Sequence, residues 1–166
     1  MVRGWIFALM GWLFLSSAFG ENAKIDPRLD ALTNVIQKAL ITESKVYLYS
    51  IKPHALGPAQ TNNANNTFCD NKVLGMAEIK PLLEKTNLLT SLANGIVNAP
   101  HFAMLCFNPR HGVRIVNGTA TNDFLICFEC AKGYWCGSNS MEFHISGGPE
   151  PVFDQFLKEY KLQKAK

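Results

Sequence analysis

The sequence predicts an α+β domain, a largely antiparallel sheet of about five strands packed with three helices in the order α-β-β-α-β-β-β-α. Three observations carry this. Three stretches repeat apolar residues at helical spacing, the stretches between them are short and rich in β-branched and aromatic residues, and no repeated βαβ unit appears. The chain has 166 residues. Arg3 precedes an uncharged apolar run, and Ala18-Phe19-Gly20 places small residues before Glu21. That is the build of a secretory signal peptide over residues 1–20, too short for a spanning helix. Residues 21–166 then form a single globular domain, secreted or periplasmic, with no membrane span after cleavage and 15 basic side chains (16 less Arg3) against 13 acidic ones. A charge balance that even, with no basic cluster among aromatics, leaves no nucleic-acid footprint.

Each element has its own signals. Asp26-Pro27 caps and opens a helix whose stripe is Leu29, Leu32, Ile36, Ala39 and Leu40. Ser44 to Ile51 has apolar and aromatic residues in succession and reads as a strand covered on both faces. Gln60 to Asn66 is a polar surface loop, and Lys72 to Ile79 the next strand. Lys80-Pro81 opens a second helix with Leu82, Leu89, Leu92, Ala93, Ile96 and Val97 on its buried side, stopped at Asn98-Ala99-Pro100. Phe102 to Phe107 alternates as a strand that Pro109 interrupts, and Val113 to Val116 resumes it. Asn117-Gly118 is a hairpin turn, and Phe124 to Cys130 is the returning strand. A shorter hairpin surrounds Gly137-Ser138-Asn139, and Pro151 starts a last helix with Phe153, Phe156, Leu157 and Tyr160 inward. The lysines at 158, 161, 164 and 166 read as a solvated terminus.

Any chemistry concentrates between Phe102 and Cys136, which holds four of the five cysteines. With the turn at Asn117-Gly118, paired positions sum to roughly 235–240, which gathers Cys106, His111, Cys127 and Cys130 into one patch. Three chemistries fit it. A disulfide from Cys106 to Cys130 or Cys127 would staple the sheet. Alternatively, zinc would take the same four side chains, since C-x4-H…C-x2-C is compatible with a tetrahedral site. The third is thiol–disulfide exchange at Cys127-Phe128-Glu129-Cys130, although that motif ends a strand here instead of opening a helix. Arg110, His111 and Arg114 suggest an anion pocket, against the plainer alternative that the arginines pair with Asp123 or Glu129. Asn65-Asn66-Thr67 and Asn117-Gly118-Thr119 match a glycosylation acceptor pattern. His54, His101 and His144 have no partner at motif spacing.

The pieces Cys106-Phe107-Asn108-Pro109-Arg110-His111-Gly112 and Leu125-Ile126-Cys127-Phe128-Glu129-Cys130 resemble those of a family of uncharacterised exported bacterial proteins. That resemblance implies export and the unity of the patch, and no activity. The expected function is an exported domain, non-catalytic, binding a small ligand or an envelope protein, its cysteines structural and with no cofactor. The alternative is a small zinc- or thiol-dependent enzyme using Cys106, His111, Cys127 and Cys130.

Overall fold

The computed structural model describes residues 27–53, 67–137 and 140–166. The expected leader, the N-cap at Asp26, the loop from Gln60 to Asn66, His54 and the turn residues Ser138 and Asn139 lie outside them. The described residues form α1 (Pro27–Ile41), β1 (Lys45–Lys52), β2 (Thr67–Phe68), β3 (Asn71–Glu78), α2 (Leu82–Val97), β4 (His111–Asn117), β5 (Ala120–Cys127), β6 (Lys132–Cys136), β7 (Met141–His144) and α3 (Glu150–Glu159). The class is α+β with seven strands, in the spatial order β2-β3-β1-β4-β5-β6-β7, and every neighbouring pair is antiparallel.

The count exceeds five because β2, with two residues, is too short to show as a pattern, and because the short hairpin around Gly137 contributes two strands, β6 and β7. A further difference concerns Phe102 to Phe107, which alternates in sequence yet forms no strand. Alternation gives a segment a face. It does not give it a neighbour whose N–H and C=O groups are free, and the returning strand it would face ends at Cys127, where the chain turns toward β6.

One face of the sheet carries the main core. Val46 and Leu48 of β1, Val113 and Ile115 of β4, and Phe124 and Ile126 of β5 bury against Leu32 and Ile36 of α1, Leu88, Leu89 and Leu92 of α2, and Phe153 and Leu157 of α3. Period-2 alternation along the strands meets helical stripes at i, i+3 and i+4. Leu82 and Val97, expected inward, are exposed at the two ends of α2. Val97 stands one residue beyond buried Ile96, about 100° round the helix. At Gly133 an added Cβ would lie 2.3 Å from the Phe143 ring, so β6 has no room there for a side chain.

The opposite face has a smaller cluster of Tyr49, Ile51, Phe68 and Leu125, flanked by Phe107 and Tyr134. Phe68 lies on Gly112, where a Cβ would come within 2.8 Å of its ring, and packs on Tyr49 at 4.4 Å between centroids. The β2–β3 hairpin places this ring. Its two central residues, Cys69 and Asp70, have φ of 48° and 63°, the left-handed pair that a two-residue hairpin turn demands. Cys69 then bonds to Cys136 on β6, with their Cα atoms 6.0 Å apart. In a flat sheet, β3 and β6 would stand four strand spacings apart, roughly 19 Å. The sheet therefore curls, and the disulfide clasps it over the aromatic floor.

Candidate functional site

Residues 101–110 cross from α2 to β4 without regular structure and are held by the turn that follows β5. The Met104 N–H donates to the Cys130 carbonyl at 3.0 Å, and the Asn108 N–H points at the Cys130 sulfur at 3.4 Å. Pro109 offers no N–H, and backbone pairing resumes where the Ile51 N–H reaches the Arg110 carbonyl at 3.0 Å. Beyond β5 the chain turns sharply. The Ala131 N–H closes on the Phe128 carbonyl at 3.1 Å, and Ala131 takes a φ of 51°, a conformation that L residues with a Cβ rarely hold.

That turn contains a Cys127–Cys130 disulfide, with Cα atoms 5.3 Å apart. Cys106 is a free, exposed thiol, and its Sγ lies 3.3 Å from the Sγ of Cys130. The expected bridge from Cys106 to Cys127 or Cys130 is thus replaced by one within the C-x-x-C, whose two sulfurs lie close enough along one tight turn to join each other. Both residues of that bridge are buried, at 2% and 0% exposure, so Cys106 is the face the trio shows to solvent.

His111 does not join the sulfurs. Its partner across the hairpin is Ile126, so Cys127, one residue on, points to the opposite face of the sheet. Its ring lies edge-on to Phe128 and Phe153 at 5.3 and 5.7 Å, and its Nε2–H donates to Asp154 Oδ1 at 2.9 Å. Burial lowers the His111 pKa from its usual 6.5, with the hydrogen bond to Asp154 opposing that shift. The zinc set Cys106, His111, Cys127 and Cys130 therefore does not converge on one point. Among the described residues, no group of three or more His, Cys, Asp or Glu side chains is placed to hold a metal ion.

Arg110, His111 and Arg114 do not converge either, for the same reason of alternation. His111 faces the helices, while Arg114 lies on the other face with its guanidinium 5.5 Å from the Tyr49 and Phe68 centroids. Arg114 grips Asp123 through two hydrogen bonds of 2.7 Å, and those bonds raise its pKa. Arg110 pairs with Glu129 at 2.7 Å. Each arginine thus has a carboxylate across the hairpin where the anion would have sat.

Sequence reasoning missed several participants. Asp154 and Glu150 lie one helical turn apart on α3, and Lys164 bonds to both at 2.6 and 3.0 Å. Lys164 is accordingly part of a charge cluster and not a bare solvated end; the i, i+4 carboxylates were the available signal. The Cys69–Cys136 pair, separated by 67 residues, has no spacing signal at all. His144 donates through Nδ1 to the Pro100 carbonyl at 3.1 Å. It lines, with Ile96, Val97, His101, Met141 and Phe143, a cleft of about 400 Å³. Beside it the loop exposes Phe102, Met104 and Leu105 at 70%, 55% and 103%. The acceptor pattern at Asn117 begins on the last residue of β4, whose side-chain amide donates to Thr42 Oγ1 at 3.3 Å. The pattern at Asn65 falls outside the described residues. No family model, curated protein or solved structure matches the chain.

Proposed function

We propose that the protein is an exported α+β binding domain that acts outside the cytosol, stapled by disulfides, and that it binds through the apolar loop at residues 102–105. The observation that carries this is the exposure of Phe102, Met104 and Leu105 on a loop fixed at Met104 to the Cys130 carbonyl. Large apolar side chains held out to water on an anchored loop mark an interaction surface, because leaving them exposed costs burial energy that a merely structural loop would recover. The neighbouring cleft, about 400 Å³, is of the size that ligand pockets take. Two disulfides support an oxidising compartment. No described helix is long and apolar enough to cross a membrane.

The test is a double substitution, Phe102→Ser with Leu105→Ser, read with the apolar dye anilinonaphthalene sulfonate. The wild-type protein should enhance the dye's fluorescence, and the variant should lose most of that enhancement at an unchanged thermal midpoint. Equal enhancement by both proteins would remove the loop as the binding surface.

A further inference from the structure

A disulfide whose two residues are both buried is closed to thiols in solution, because exchange needs the attacking sulfur to reach it along the bond. Both residues of the Cys127–Cys130 bridge are buried in this way, and one side of it carries an exposed sulfur. On that side stands the exposed thiol of Cys106, with Sγ 3.3 Å from Cys130 Sγ, within the separation of about 3–3.5 Å from which reacting atoms proceed. A second feature is aimed at the same sulfur. The Asn108 N–H points at Cys130 Sγ at 3.4 Å, a fixed donor where negative charge appears when that sulfur leaves as a thiolate. Phe102, Met104 and Leu105, directly before Cys106 in the chain, supply an exposed apolar approach.

We propose that Cys106, Cys130 and Cys127 form a thiol–disulfide relay that tethers the protein reversibly to a cysteine within an apolar peptide segment. In the first step the Cys106 thiolate attacks Cys130 Sγ. The Cys106–Cys130 bond forms, the Cys127–Cys130 bond breaks, and Cys127 leaves as a thiolate that takes up the proton Cys106 lost. In the second step the peptide thiolate attacks Cys106 Sγ, now at the surface end of the bridge. A peptide–Cys106 disulfide forms, and Cys130 leaves as a thiolate facing the Asn108 N–H and takes up the peptide's proton. Two thiols are consumed and two are made, so no oxidant enters. The reverse attack by Cys130 on Cys106 releases the peptide. The relay rests on the loop as the binding surface only for its choice of an apolar peptide; the sulfur chemistry stands apart from it.

The experiment incubates the purified protein with two probes, a synthetic peptide holding one cysteine between leucines and phenylalanines, and glutathione. Acid-quenched samples are then mapped by mass spectrometry without reduction. The wild type should give a peptide adduct on Cys106 together with newly free thiols at Cys127 and Cys130. Cys106→Ser should form adduct at least about tenfold more slowly, which corresponds to about 1.4 kcal/mol in barrier. Alkylating Cys106 in the folded wild type should do the same, which keeps the result clear of any folding defect in the variant. Adduct formation on Cys127 or Cys130 at the wild-type rate after Cys106 is blocked would overturn the relay, as would a wild type that forms no adduct with either probe. Adducts that form with glutathione as readily as with the peptide, and unaffected by Leu105→Ser, would overturn the peptide as partner while leaving the sulfur relay standing. Loss of exchange with dye binding intact would leave the binding surface and remove the relay.

Discussion

At His111 one side chain turns a sheet position into a pH-sensitive one. His111 is 1% exposed, its imidazole wedged between Phe128 and Phe153, and it faces Asp154, with Lys164 and Glu150 behind it. Burial holds its pKa below 6.5 in the fold, so as pH falls the unfolded chain takes up this proton first. More protons bound in the unfolded state means that stability rises with pH and is lost on acidification. The loss begins near the unfolded value and continues until the lowered folded value is reached. Its slope approaches about 1.4 kcal/mol per pH unit while the two states differ by a whole proton. Urea denaturation from about pH 7.5 to about pH 5.5 should show this decline in the wild type, and His111→Gln, which keeps an N–H for Asp154, should flatten it. An unchanged slope in the variant would place the titration elsewhere.

Whole elements divide into what the sequence spells out and what only packing supplies. The stripes of α1 and α3 were legible because helical spacing and burial agree, as at Leu32, Ile36, Phe153 and Leu157. The hairpin was legible from Gly118, which takes a φ of 60°, although the turn falls one residue later than expected, at Gly118-Thr119 with Asn117 paired to Ala120. Summing paired positions gave the right register for β4 against β5, but not the faces of Cys127 and His111. Those follow from parity, since His111 aligns with Ile126 and not with Cys127. Cys69 reaching Cys136 was not legible, because a two-residue strand and a curled sheet leave no periodicity to read. The end of α3 shows a rule that packing has overridden. The Leu162 N–H bonds to the Leu157 carbonyl at 2.8 Å and the Lys161 N–H to the Lys158 carbonyl at 3.1 Å, the paired closure that puts the residue between them in the left-handed region. That residue is Lys161, at φ 55°, where glycine would be unstrained. Lys161→Gly should therefore stabilise the protein by about 1 kcal/mol, while Lys158→Gly, inside the helix, should destabilise it by about the same amount. Urea midpoints of the two variants should move in opposite directions, and a shared direction would contradict the cap.

Across the whole molecule the two disulfides close loops of very different size, which assigns them different work. Cys69–Cys136 spans 67 residues and joins the β2–β3 turn to β6, tying the curl that covers Tyr49, Ile51 and Leu125. Restricting a loop of that length in the unfolded chain is worth about 4 kcal/mol on the entropic account. Cys127–Cys130 has a separation of 3 and restrains a turn already closed by the Ala131 N–H. Its share on the same account is only about 1.6 kcal/mol. A bridge that contributes so little to stability can open and move at small cost to the sheet, whereas opening the long one forfeits the larger restraint. Cys69→Ala with Cys136→Ala should therefore lower unfolding free energy by about 4 kcal/mol, and Cys127→Ala with Cys130→Ala by less than about 2 kcal/mol. The comparison is made by urea denaturation of both variants without reductant. Equal losses, or a larger loss from the short bridge, would mean that the turn at residues 127–130 holds the sheet and is not free to exchange.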